Sequence, residues 1–246
     1  MGGLRDTIDA LVTPSGGLRY HMRALGHGRR LWGPFRRALG RWLAEWEPGT
    51  RPLLLVGPSA GWCLPDAFLQ RFPEIDVLEP DPLAWLLLGR RLRRLGCRTR
   101  WHTTDYLEPH SGRLPALAAD FPEHAILFCN VLGQLGAVDP DLADDVLEQW
   151  SRDLGRVLRA HHWATFHDRL SGALPPSLVG LSAPVPSSPS DEELVQRFYQ
   201  RTTSRTVTLD THGTASLLAG HPRWFLAWHL SPGHHHLIEA IRHSPE

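Results

Sequence analysis

Between Pro52 and His167 the chain alternates two hydrophobic patterns. Short apolar runs bounded by turn formers predict strands buried on both faces. Longer stretches whose apolar residues recur every three or four positions predict helices. The strands fall at Pro52–Gly57, Ile75–Glu79, a more polar Arg98–His102, Ala125–Asn130 and His162–His167. The helical stripes are Leu64, Phe68, Leu69 and Phe72, then Trp85, Leu88, Leu92 and Leu95, then Leu142, Val146, Leu147, Trp150, Leu154, Val157 and Leu158. Asp81 followed by Pro82, and Asp139 followed by Pro140, mark two helix starts. Upstream, Phe35, Leu39, Trp42, Leu43 and Trp46 form one more stripe, with arginines on its other face, and Pro48-Gly49 ends it. The segment before Gly28 has no clear periodicity. Downstream, Gly172 to Ser190 is rich in Pro and Ser and reads as a loop. Ser190 and Glu193 form a capping box for a helix carrying Leu194, Val195, Phe198 and Tyr199. Ser204–Asp210 and Trp224–Leu230 read as the last two strands. No internal repeat is visible.

Strands and helices in alternation imply right-handed crossovers and a mainly parallel sheet. The expected fold is α/β: a Rossmann-like, seven-stranded, mainly parallel sheet with helices on both faces and an antiparallel edge strand. Residues 1–48 are expected to form an N-terminal helical lid segment. Residues 49–246 are expected to form the Rossmann-like domain, with the Pro/Ser-rich loop at 172–190.

Composition narrows the function classes. Basic and acidic residues number 26 each, which argues against a general nucleic-acid or anionic-membrane surface. Every basic residue is arginine, as in bacterial-type coding at high GC content, and the absence of lysine removes Schiff-base chemistry. Cys63, Cys97 and Cys129 are odd in number and widely spaced, so no disulfide framework is expected. No continuous apolar segment at the N-terminus suggests a signal peptide, and no run nears the roughly 20 apolar residues of a membrane span. A cytoplasmic protein is expected.

Ligands of an open parallel sheet bind beyond the carboxyl ends of its strands. After the first strand stands Gly57-Pro58-Ser59-Ala60-Gly61, whose glycines let the backbone turn and approach a ligand. Glu79 ends the second strand, placed to accept hydrogen bonds from a ribose diol. Asp105 and Tyr106 follow the third strand, suited to an adenine amine and ring face, although Asp105 reads equally well as a turn residue. Asn130 and Val131 follow the fourth, and His167 and Asp168 end the fifth. Trp62, next to Gly61, is placed either to stack on a ligand or to block it.

The run Leu53-Leu-Leu-Val-Gly-Pro-Ser-Ala-Gly61, then Val77-Leu-Glu79, then Thr104-Asp105-Tyr106 resembles the class I S-adenosylmethionine-dependent methyltransferases. The resemblance covers roughly Leu31 to Asp168 and implies a seven-stranded sheet whose last strand is antiparallel. It implies S-adenosylmethionine as cofactor. By that likeness Gly57, Ser59 and Gly61 wrap the methionine part, Glu79 holds the ribose hydroxyls, Asp105 meets the adenine amine, and the segment Asn130 to Gln134, with Asn130 and Val131 at its head, lines the methyl-transfer site. Two departures stand out. The family usually has glycine where Ser59 stands, and Asn130-Val-Leu-Gly-Gln134 replaces the Asn-Pro-Pro-Tyr type motif of amino-methylating members.

Methyl transfer from a sulfonium needs alignment and, for a poor nucleophile, a base. His167 and Asp168 are the catalytic candidates, and His21 is placed to close over the site. No metal is expected. Neighbours in the tract His234-His235-His236 point in different directions, so they do not chelate one ion together. The expected activity is methyl transfer to a small molecule or peptide. The alternative is a catalytically silent methyltransferase-like scaffold or partner subunit, for which a protein partner or homodimer is the occupant. A nicotinamide-dependent dehydrogenase ranks third, since no third glycine follows in the loop.

Overall fold

The computed structural model describes residues 17–134, 144–177, 184–186, 188–199 and 209–245. Eight strands form one sheet: β1 (Leu53–Val56), β2 (Glu74–Leu78), β3 (Arg98–His102), β4 (Ala125–Cys129), β5 (Trp163–Gly172), β6 (Leu209–Thr211), β7 (Arg223–Ser231) and β8 (His234–His243). Their order is β3-β2-β1-β4-β5-β8-β7. The first five run parallel. β8 is antiparallel to both β5 and β7, so it lies one strand in from that edge. Short β6 pairs antiparallel with the outer end of β5, beyond the point where β4 stops.

The helices are α1 (Gly17–His27), α2 (Gly33–Ala44), α3 (Asp66–Leu69), α4 (Pro82–Arg94), α5 (Leu114–Asp120), α6 (Asp144–Val157) and α7 (Asp191–Phe198). Successive strand residues face opposite sides of the sheet, and two core layers follow. On one face Leu53, Leu55, Val77 and Phe166 pack under α1 to α4; on the other Leu54, Val56, Leu78 and Phe128 pack under α5 and α6. All four residues of β1 are buried, as a strand covered on both faces requires. Asp81 caps α4 by accepting the Leu83 N–H at 2.8 Å. The Ser190 and Glu193 capping box opens α7.

The α/β class, the mainly parallel sheet and the first four strands stand as expected. β5 runs five residues further than the predicted His162–His167, to Gly172. The ending differs. Most of Ser204–Asp210 lies outside the described residues, and its tail belongs to the three-residue β6. The final long hairpin is β7 and β8, and β8 contains the histidine tract. Helix α1 was also missed, because its apolar residues Leu18, Met22 and Leu25 point outward while His21 and Ala24 are buried. Among the described residues no helix is long and apolar enough to cross a membrane.

Candidate active site

A cavity of about 580 Å³ opens beyond the carboxyl ends of β1 to β4, bordered by Gly57, Glu79, Asp105, Tyr106, Val131 and Gln134. The loop after β1 shapes one wall. Gly57 has φ +62°, and its N–H donates to the Leu78 carbonyl at 2.9 Å. A Cβ there would lie 3.0 Å from the Val131 Cβ, so glycine is what lets the loops after β1 and β4 touch. Ser59 holds φ +50° without being glycine, a conformation that costs an ordinary residue roughly 1–2 kcal/mol. Its N–H donates to Glu79 Oε2 at 2.7 Å, which helps hold the turn. Gly61, at φ +66°, is not in the wall of the cavity. A Cβ on it would come within 2.8 Å of Leu88 Cδ1 on α4.

Glu79 is 7% exposed. Its Oε1 accepts the Asp81 N–H at 3.1 Å, while Oε2 takes the Ser59 N–H. A carboxylate has about four acceptor positions, so both oxygens keep capacity for a ligand. Burial pushes its acid up to about 7, against the two backbone donors that favour the ionised form. Asp105, exposed on the cavity rim, uses Oδ1 to accept the N–H groups of Leu107 at 2.9 Å and Glu108 at 3.2 Å. It is thus a turn residue and a cavity residue together. Tyr106 is buried and donates its hydroxyl to Asp120 at 2.7 Å.

A smaller pocket of about 40 Å³ shares Gly57 and Gln134 with the large cavity and adds Tyr20, Ser59, Asn130 and Trp228. Tyr20 comes from α1, with its hydroxyl 3.6 Å from Cys63 Sγ. Burial pushes the Tyr20 hydroxyl well above its ordinary range and the Cys63 thiol up to about 12. Both therefore stay protonated at neutral pH. His21, one residue on, is fully buried. Its Nε2 lies 2.8 Å from Asp81 Oδ2, and its Nδ1 accepts the Trp62 indole N–H at 3.0 Å. Trp62 is therefore tied to α1 and is not in the wall of either pocket.

The strand order and directions decide the fold: five parallel strands in the order 3-2-1-4-5, then an antiparallel strand inserted before a final parallel one. This is the Rossmann-like, mainly parallel sheet that the resemblance to the class I S-adenosylmethionine-dependent methyltransferases implies. No protein-family model matches the sequence, and no curated protein does. Among solved structures, the chain is similar to the N-methyltransferase NodS from Bradyrhizobium japonicum WM9 in complex with S-adenosyl-L-homocysteine, at 14% identity over 98% of each chain and a TM-score of 0.47. It is similar to the magnesium protoporphyrin IX methyltransferase from Synechocystis PCC 6803 with bound S-adenosylmethionine, at 10% identity, 98% of this chain, 92% of that one and a TM-score of 0.43. A methyltransferase from Clostridium acetobutylicum ATCC 824 aligns at 10% identity and a TM-score of 0.39, over 61% of this chain and 56% of its own length.

After β4 Asn130, and on β5 Phe166, border the small pocket. Asn130 has φ +60°. Its side chain bridges β4 to β5, donating to Asp168 Oδ2 at 2.9 Å and accepting the Asp168 N–H at 2.8 Å. Gly133 permits that approach, since a Cβ there would meet the Asp168 backbone at 2.9 Å. Asp168 Oδ1 lies 2.7 Å from His236 Nδ1 on β8. Burial opposes the ionisation of Asp168, but His236 and Asn130 outweigh it and hold the carboxyl at about 2. His167 is fully buried on the opposite face, 3.5 Å from Glu239. Strand alternation thus separates the two catalytic candidates, and neither is in the wall of the large cavity or the small pocket.

The structure brings Gly57, Glu79, Asp105 and Val131 to the large cavity, and Gly57, Ser59 and Asn130 to the small one. Tyr20, His236 and Trp228 were not singled out from sequence. They reach the site only through strand and helix contacts far apart in the chain, and the only local signal for His236 was its tract.

Proposed function

We propose that the protein is an S-adenosylmethionine-dependent methyltransferase acting on a small molecule or a peptide. The observation that carries this reading is the convergence of Gly57, Glu79, Asp105 and Val131 on one cavity at the carboxyl end of the sheet. In this reading Glu79 accepts the ribose hydroxyls and Asp105 meets the adenine amine. Gly57 and Ser59 border the methionine part, and Gly61 fixes the loop against α4. Asn130 and Val131 border the transferring methyl. Residues 1–48 serve as the lid, and Tyr20 covers the methionine end. The bound cofactor supplies the activated methyl. The chain orients it, excludes water and holds Asn130 in place through Asp168.

Calorimetric titration with S-adenosylmethionine and S-adenosylhomocysteine tests this. Micromolar binding, about 8 kcal/mol, is expected for the unmodified chain. Glu79→Ala should weaken it by roughly 1.5–3 kcal/mol, the range for a hydrogen bond to a charged group. If neither ligand binds, the reading is overturned and a catalytically silent scaffold takes its place.

A further inference from the structure

We propose that Asp168, His212 and His236 bind a single divalent transition-metal ion beside the small pocket. Past the end of β4, β5 is flanked by β6 on one side and β8 on the other. Ser171 pairs with both Asp210 and His236. This register brings His212, just after β6, and His236, on β8, to the same stretch of β5 from opposite sides. One ligand atom from each of Asp168, His212 and His236 lies within 4.8 Å of the other two. The residues are 44 and 24 positions apart in sequence, so the cluster is a product of strand pairing.

The surroundings resemble a prepared first and second coordination sphere. His236 is 6% exposed. Its Nδ1 faces Asp168, and its Nε2 is buried with no hydrogen-bond partner among the described residues. His212 has one nitrogen, Nε2, 3.1 Å from Ser171 Oγ. The second oxygen of Asp168 is held by Asn130, the kind of outer contact that orients a ligating carboxylate. A hydrogen-bonded Asp168–His236 pair alone explains neither the convergence of His212 nor the orphaned nitrogen.

Two imidazoles and one carboxylate suit Zn²⁺ or a neighbouring divalent transition metal, and three protein ligands leave open positions. Asn130, bonded to Asp168, and Trp228, whose ring centre is 5.7 Å from that of His236, both border the small pocket. An ion here would meet an oxygen-bearing acceptor on the acceptor side of the proposed methyltransferase site, and to that extent its role rests on that reading. The two histidines next to His236 are not part of the site. His235 stacks on His229 at 4.2 Å between ring centres, and His234 meets the His236 ring edge-on at 4.8 Å.

The test is titration of the metal-stripped full chain with Zn²⁺, followed by calorimetry, and with Co²⁺, followed by visible absorption. No cofactor is added, so failure of this site and failure of methyl transfer are separate results. One equivalent is expected to bind. His212→Ala and His236→Asn should each weaken binding by at least about tenfold, while a His234→Gln/His235→Gln variant binds as the unmodified chain does. If His236→Asn does not fold, His212→Ala decides, because His212 is only half-buried. Absence of saturable one-equivalent binding overturns the proposal. So does affinity that survives His212→Ala or is lost in the His234/His235 variant, which would place the ion on other imidazoles.

Discussion

Glu79 stands in an electrostatic conflict. It accepts two backbone N–H bonds, which favour the carboxylate, yet burial outweighs them and raises its acid from the ordinary carboxyl range to about 7. Two consequences follow for pH. Ribose hydroxyls need an acceptor, so binding of the proposed cofactor should strengthen as pH rises through about 7, and Glu79→Gln should flatten that profile. Stability should move the other way. A carboxyl whose folded pKa exceeds its unfolded value takes up a proton on folding, so its contribution falls as pH rises from about 4.5 to 7. Relative to Glu79→Gln, the unmodified chain should lose on the order of 3 kcal/mol of stability across that window. Urea melts of both proteins at pH 5 and pH 8 measure the difference. A constant difference would mean that Glu79 ionises normally.

At the scale of elements, α1 is held to the sheet by one side chain in particular. With Nε2–H donating to Asp81, His21 Nδ1 is left as the acceptor that the Trp62 indole needs. One ring thus joins α1, the cap of α4 and the loop after β1. His21→Ala would strand the Trp62 donor and remove a partner from Asp81, costing roughly 1–3 kcal/mol. The loss should be local: amide exchange should speed up across residues 17–27 and stay slow in β1. Equal acceleration in both would show that His21 supports the whole core instead. This contact was not legible in the sequence. The stripe of α2 was, because Phe35, Leu39, Trp42 and Leu43 all face inward. The glycine loop and Glu79 were legible because a strand, a tight turn and an acid at the next strand end have fixed local spacing. Helix α1 breaks the rule by exposing Leu18, Met22 and Leu25 and burying a histidine, so its periodicity points the wrong way. β8 hides for a related reason: a run of histidines and a buried Glu239 interrupt what is otherwise an apolar strand.

That buried glutamate joins the outer strands of the molecule. Glu239 on β8 is fully buried, with Oε1 hydrogen-bonded to Arg223 of β7 and Oε2 3.5 Å from His167 and 4.0 Å from Arg169, both on β5. Arg169 continues to Asp191 on α7 at 2.9 Å. Burial alone would push the Glu239 carboxyl up, but the His167 hydrogen bond and the Arg223 and Arg169 guanidinium groups outweigh that and hold it low. The arrangement need not stabilise the fold more than apolar residues would, yet removing one partner leaves buried positive charge uncompensated. Glu239→Ala should therefore cost about 3–5 kcal/mol. Glu45 offers the contrast. It also pairs with an arginine, Arg242, at 2.9 Å, but its side chain is 62% exposed. Solvent screens that pair, so Glu45→Ala should cost no more than about 1 kcal/mol. Chemical denaturation of the two variants compares the same bond type in two environments. A large gap would locate the cohesion of β5, β7 and β8 in a desolvated charge cluster. Similar small losses would mean that the strand ladder and the apolar layers hold the edge of the sheet without it, and that His167, Arg169 and Arg223 find other partners when Glu239 is removed.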